Sequence, residues 1–218
     1  MTDIAVLQFP GSNCEYETVA ALTSVGIKID LVPWNAPADN LDRYKGYVLP
    51  GGFSFQDRIR AGVVSAKLPI MQAIKNYAKE GKPVLGICNG CQMLAELGIL
   101  PDFQEHIPLE MSLAPNMKDG SFHGFVCDWV YVKVKNPENS VFTRLFTDED
   151  VIPIPINHGE GNFKFYDDDQ IKEGTQTRLV YCDENGCVDE AYPINPNGAS
   201  LNTAGLCNRA GNVMAIMP

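Results

Sequence analysis

An α/β fold, with a central mostly parallel sheet, helices on both faces and antiparallel additions, follows from three observations. Short apolar runs alternate with amphipathic stretches four times in the first hundred or so residues, the rhythm of a parallel sheet with crossover helices. The second half changes character, and its alternating runs read as antiparallel strands that make the sheet mixed. One apolar run, Val84-Leu85-Gly86-Ile87, passes into a helical pattern with almost no loop between, and Cys88 occupies that junction.

In order, Ile4 to Phe9 is an apolar strand, followed by the turn Pro10-Gly11-Ser12-Asn13-Cys14, where Asn13 is a candidate N-cap. Glu15 to Val25 reads as a helix presenting Tyr16, Val19, Ala20 and Thr23 on one face and stopped by Gly26. Ile27, Ile29 and Leu31 alternate in a second strand that ends at Pro33, and Asp39 to Lys45 is a polar, partly helical link. Tyr47-Val48-Leu49 is a third strand, closed by Pro50-Gly51-Gly52-Phe53. Pro69 to Lys79 shows Ile70, Ile74 and Tyr77 at helical spacing, with proline tolerated in the first turn. After the central strand, a helix runs to Gly98, a C-cap glycine.

Beyond it, Ser121 to Lys135 is a long strand with Val130, Val132 and Val134 on one face. Val151 to Ile156 carries prolines and belongs at an edge. Arg178 to Cys182 and Cys187 to Asp189 flank Asp183-Glu184-Asn185-Gly186 as a hairpin signal. Ala204 to Cys207 and Val213 to Met217 are two more short strands, and Asp167-Asp168-Asp169 reads as a solvated loop.

The 218 residues suffice for one domain with a full core, spanning 1–218. A net charge of -10 argues against nucleic acid or an anionic membrane as partner. No charged and then apolar leader opens the chain, and no run reaches the roughly 20 apolar residues of a membrane helix. Seven cysteines, an odd number, suit a reducing cytoplasm better than a disulfide framework. Cys88 and Cys91 form a C-x-x-C, but no second pair completes a zinc site, so no metal is expected.

The junction carries the chemistry. Gly86 and Gly90 flank Cys88 in a G-x-C-x-G version of the nucleophile elbow, where small neighbours let the chain turn sharply and the side chain project. The helix start should favour an anion, so Cys88 is expected to ionise readily as a thiolate nucleophile. A small buried cysteine at a tight junction is the plain alternative. Ligands in an open α/β sheet sit beyond the carboxyl ends of the strands, where the Pro50-Gly51-Gly52-Phe53 turn also falls. A tetrahedral intermediate on Cys88 needs two donors, and the backbone N–H groups of Gly52 and Asn89 are the candidates.

Pro50-Gly51-Gly52 with Gly86-Ile87-Cys88-Asn89-Gly90-Cys91-Gln92 resembles a class I, triad-type glutamine amidotransferase of flavodoxin-like fold. Phe9-Pro10-Gly11-Ser12-Asn13-Cys14, Gly51-Gly52-Phe53-Ser54 with Asp57, Ile154-Pro155-Ile156-Asn157-His158-Gly159-Glu160-Gly161, and the tail from Ala204 to Pro218 narrow the resemblance to the glutaminase subunits of phosphoribosylformylglycinamidine synthases. The resemblance implies that Cys88 forms a γ-glutamyl thioester, water releases glutamate, and ammonia passes to a synthetase subunit that makes formylglycinamidine ribonucleotide in purine synthesis. It implies no cofactor in this chain, ATP and Mg on the synthetase, and a cytoplasmic complex with a small accessory subunit as an optional member. Gly51, Gln92 and the Asn157-His158-Gly159-Glu160 turn would hold glutamine. Phe53, Phe55, Arg58, Arg60 and Phe163 would form the docking surface; His106 and His123 are structural or exposed.

Two positions depart from the pattern: Cys91 where an aromatic is common, and Gln56 where glycine is common. In the family a His-Pro-Glu-Arg motif supplying the general base and its orienting glutamate follows the Met-Pro that is Met217-Pro218 here, so the sequence is expected to omit that segment. A flavodoxin-like cysteine hydrolase or stress protein, and a catalytically inactive binding subunit, are the competing readings.

Overall fold

Four strands order the first of two units. In the computed structural model, which describes residues 3–103, 107–174, 176 and 178–218, the chain divides into Met1–Ile99 and Leu100–Pro218. In the first unit, β1 (Ile4–Gln8) pairs in parallel with β2 (Ile29–Pro33) and β3 (Gly46–Leu49), and β3 with β4 (Val84–Ile87), giving the order β2-β1-β3-β4. Ala5, Val6, Leu7, Tyr47, Leu49 and Val84 are buried, as the continuous apolar runs of a covered parallel sheet require.

The helices are α1 (Glu15–Ser24), α2 (Val63–Ala66), α3 (Pro69–Lys79) and α4 (Asn89–Leu97). Pro69 opens α3, which buries Ile70, Met71, Ile74 and Ala78. Every residue of α4 is buried, and Gly98 ends it in the left-handed conformation. α1 departs from expectation. Tyr16 is 66% exposed, and the covered side is Glu15 with the half-buried Thr18, Val19 and Leu22. That i, i+3, i+4, i+7 stripe starts from a buried carboxylate, whose Oε1 accepts from Gln8 Nε2 at 2.8 Å, so an apolar-only reading of the pattern misses it. Nor does Asn13 cap α1: Cys14 is the N-cap residue, and the Asn13 amide oxygen accepts instead from the Cys14 thiol. The segment Ser54–Asp57 forms a short turn, with Phe55, Gln56 and Asp57 at φ 52°, 61° and 50°.

The second unit contains β5 (Met111–Ala114), β6 (Met117–Lys118), β7 (Ser121–Phe122), β8 (Val126–Lys135), β9 (Val151–His158), β10 (Asn162–Phe165), α5 (Asp168–Glu173), β11 (Arg178–Cys182), β12 (Thr203–Cys207) and β13 (Val213–Ile216). Five of these pair antiparallel in the order β13-β12-β11-β8-β9, and β10 pairs antiparallel with β5. Val130, Val132 and Val134 are buried along β8, and β9, with exposed Pro153 and Pro155, ends that row.

Three sequence expectations change. The stretch from Ser121 to Lys135 is two strands, interrupted at 123–125. Cys187 to Asp189 pairs with nothing as a strand among the described residues; the Asp183 carboxylate instead accepts from the Asn185 and Cys187 amides and closes a turn. Asp167-Asp168-Asp169 is a helix start rather than a loop: the Asp167 side chain accepts from the Asp169 and Gln170 N–H groups, a cap satisfying two orphan donors of α5. No helix among the described residues is long and apolar enough to cross a membrane.

Candidate active site

The elbow forms because α4 begins hard against its neighbours. A Cβ at Gly90 would run into the Leu49 carbonyl oxygen, and one at Gly86 would lie 2.6 Å from the Gly90 carbonyl oxygen and from Leu94 Cδ1. Between them Cys88 sits at φ 52°, ψ -109°, outside the regions an L-residue favours. Such a conformation costs on the order of 1–3 kcal/mol and persists only where the surroundings impose it.

The glycine-rich turn lies beside it. Gly52 has φ 142°, and a Cβ there would stand 2.7 Å from Ser12 Cα and 2.8 Å from the Gly11 carbonyl oxygen. The Asn13 and Cys14 N–H groups donate to the Gly51 carbonyl at 3.3 and 3.4 Å, so the Phe9-to-Cys14 turn braces this one. A Cβ at Gly51 would lie 3.4 Å from both the Cys14 Sγ and the Cys88 Cβ.

The backbone N–H groups of Asn89 and Gly52 both point to the Cys88 thiol. They favour its anion, yet burial outweighs them and pushes the thiol up to about 11, with Cys14 and Asp57 adding to the rise. The expectation of a readily ionised Cys88 is therefore corrected. Desolvation of the sulfur exceeds what two amides and a helix start return, and Cys88 rests as a thiol at neutral pH.

Asn89 is 1% exposed. Its Oδ1 accepts from the Ser54 N–H at 3.0 Å, and its Nδ2 donates to Gln92 Oε1 at 2.8 Å and Asp57 Oδ1 at 3.3 Å. Gln92 thus joins the cluster around the elbow. Of the expected docking residues, Phe53 is 47% exposed and Arg58 is exposed, while Phe55 packs edge-on against Trp34. Arg60 pairs with Glu96 Oε2 at 2.6 Å. Phe163 does not belong to a surface: it is fully buried and stacks on Phe165, because β10 turns it into the core. Ile59, which the sequence reading passed over, is 94% exposed at φ 74°.

In the second unit, β9 ends in Asn157, exposed, and His158, 3% exposed. Burial pushes the His158 imidazole down to about 4, against the opposing backbone groups of His158 itself and Met217. Gly159 and Glu160 follow, both half-buried. The turn is held by residues that sequence reasoning missed. Asn116 Nδ2 donates to the His158 carbonyl at 2.7 Å, its Oδ1 accepts from the Gly161 N–H at 2.9 Å, and Asn197 Nδ2 donates to the Gly161 carbonyl at 2.9 Å. For Asn197 the signal was the asparagine-rich turn Asn195-Pro196-Asn197-Gly198. His123 meets Tyr192 edge-on, and His106 lies outside the described residues. No group of three His, Cys, Asp or Glu able to hold a metal occurs among the described residues.

Residues 1–218 match the family described as the CobB/CobQ-like glutamine amidotransferase domain. The chain is 39% identical over 221 residues to phosphoribosylformylglycinamidine synthase subunit PurQ of Methanothrix thermoacetophila, covering 99% of this chain and 84% of that one. It is 42% identical over 217 residues to the subunit so named in Aquifex aeolicus, covering 98% and 88%. Among solved structures, PurLQS from Thermotoga maritima matches at a TM-score of 0.77 and 33% identity, over 100% of this chain and 87% of that one. A glutamine amidotransferase from Thermotoga maritima, at TM-score 0.54 and 18% identity over 99% and 74%, shares the fold. The expected flavodoxin-like amidotransferase fold is borne out, and the chain belongs to the CobB/CobQ-like glutamine amidotransferase domain family.

Proposed function

We propose that this chain is the glutaminase subunit of a phosphoribosylformylglycinamidine synthase. The observation that carries the reading is an elbow cysteine with two backbone N–H groups, those of Asn89 and Gly52, directed at its sulfur, in a chain matching PurQ subunits along nearly its whole length.

In this reading the Cys88 sulfur attacks the side-chain carboxamide carbon of glutamine, and the Gly52 and Asn89 N–H groups receive the oxyanion. Preorganised donors of this kind are worth about 10²–10³ in rate each. The C–N bond breaks, the thiol proton leaves with the amine as ammonia, and a γ-glutamyl thioester remains. Water then adds to the thioester, glutamate departs and the thiol is restored. Because the thiol is held near 11, a base must take its proton during attack. His158, held near 4, is a poor match for that task, and no histidine occurs in residues 1–99. Gln92, bonded to Asn89 beside the elbow, holds the substrate glutamine.

The ammonia is consumed by a synthetase subunit, which uses ATP and Mg to amidate formylglycinamide ribonucleotide in purine biosynthesis. A small accessory subunit completes the complex, this chain needs no cofactor of its own, and the complex works in the cytoplasm.

The test is the Cys88→Ala variant in complex with the synthetase. Glutamine-dependent synthesis should vanish while ammonia-dependent synthesis by the synthetase continues. A glutamine-mimicking electrophile should label Cys88 and spare the other six cysteines. Retained glutamine-dependent turnover, or labelling spread over several cysteines, would refute the assignment.

A further inference from the structure

We propose that the Asn89 side chain is a positioning residue that sets the distance between the two oxyanion donors by tethering the strained turn that follows Gly52. This rests on the glutaminase reading and assigns a role that the elbow motif does not.

The argument starts from what each half of Asn89 does. Its backbone N–H is one donor to the Cys88 sulfur; the other, on Gly52, belongs to a different stretch of chain. Two residues after Gly52, the Ser54 N–H donates to Asn89 Oδ1 at 3.0 Å, and three residues further on, Asp57 Oδ1 accepts from Asn89 Nδ2 at 3.3 Å. One buried side chain therefore grips both ends of the turn that begins just past the second donor. The third bond, to Gln92 Oε1 at 2.8 Å, fixes the amide within α4.

The turn has reason to move if released. Phe55, Gln56 and Asp57 all have positive φ, and Ile59, a β-branched residue, sits at 74°. Each such residue is held away from its preferred backbone region. Gly52 itself, at 142°, occupies a conformation open to glycine alone, with the Phe53 N–H bonded to the Gly11 carbonyl at 2.8 Å on its far side. With the Asn89 tether cut, relaxation of residues 54–59 has a direct covalent route to the Gly52 peptide. Donors aimed at a developing charge act mainly on the transition state, so their misplacement lowers kcat more than it raises KM.

The experiment uses the complex of the chain with its synthetase, with co-elution of the two subunits as the measure of complex integrity and ammonia-dependent turnover as the measure of synthetase activity. Asn89→Ser keeps the backbone donor and removes the tether; kcat for the glutamine-dependent reaction should fall about 10²-fold, with KM for glutamine within about threefold. Asn89→Asp sets a carboxylate against Asp57 and should lose as much. Adding Asp57→Asn to Asn89→Asp reverses the polarity of the bond, and should recover at least about tenfold of kcat. The rescue pair keeps the proposal testable where the serine variant fails to fold. Unchanged kcat in Asn89→Ser, a loss confined to KM, or no recovery in the double variant would each overturn it. A wild-type complex that uses ammonia but not glutamine would instead remove the glutaminase reading, and this proposal with it.

Discussion

Cys88 and His158 illustrate how burial sets the protonation of single groups. Burial makes charge costly for both, but in opposite directions of pH: it raises the thiol and lowers the imidazole. For His158 the folded value of about 4 lies below the ordinary 6.5. Between these limits the unfolded chain binds a proton that the folded chain refuses, so stability rises with pH through the window and is lost as pH falls from 6.5 towards 4. One proton corresponds to about 1.4 kcal/mol per pH unit. Urea unfolding of wild type and His158→Gln at several pH values should therefore converge as the pH drops, with wild type losing stability faster below 6.5. Parallel curves would show that His158 is not the group responsible. For Cys88 the same linkage places a loss of stability above pH 9, where the unfolded thiol ionises and the folded one does not.

At the level of elements, the turn after β9 is built around a glycine whose backbone is ordinary but whose side of the chain is full. A Cβ at Gly161 would lie 2.6 Å from His158 Nε2 and closer still to other ring atoms, whereas one at Gly159 would touch only Phe125 Cδ2 at 3.4 Å. Gly161→Ala should cost about 1–3 kcal/mol in a denaturation experiment, and Gly159→Ala should lie within about 0.5 kcal/mol of wild type. Equal effects would mean the ring moves aside. Such contrasts separate what the sequence revealed from what it did not. The strand-to-helix junction at Cys88 was legible because glycine spacing, an apolar run and a helical repeat agree over 83–98. The left-handed turn at Phe55–Asp57 was not, since no local propensity favours it: Gln56 stands there at φ 61°, where a glycine would have been the signal. The buried face of α1 was misread because its first member is a carboxylate paired with Gln8. The burial of Phe163 was not legible, because an aromatic in a loop-like stretch carries no sign of which way a short strand will turn it.

At the scale of the molecule, a glutaminase whose ammonia is consumed elsewhere wastes glutamine when it works alone, since free ammonia near neutral pH is mostly protonated and diffuses away. Coupling requires that the synthetase bind the active arrangement of the site more tightly than the idle one. The segment from Phe53 to Arg60 is suited to that contact, with Phe53, Arg58 and Ile59 exposed on either side of the turn tethered by Asn89. Arg58→Ala and Ile59→Ala should each weaken the complex about tenfold, the loss of an interface anchor, with melting temperatures unchanged. Glutamine hydrolysis should also rise when the synthetase saturates the wild-type chain. Equal hydrolysis with and without synthetase would mark a free-standing glutaminase. The run of positive φ angles through this same segment bears on how the protein can adapt to heat. Stabilising a protein by replacing flexible residues with stiffer ones works where the backbone is relaxed. At Phe55, Gln56, Asp57 and Ile59 that rule is inverted: these residues are held against their preference, and added stiffness there would deepen the strain. A lineage moving to higher temperature would have to gather its stability elsewhere in the fold and leave this turn tense.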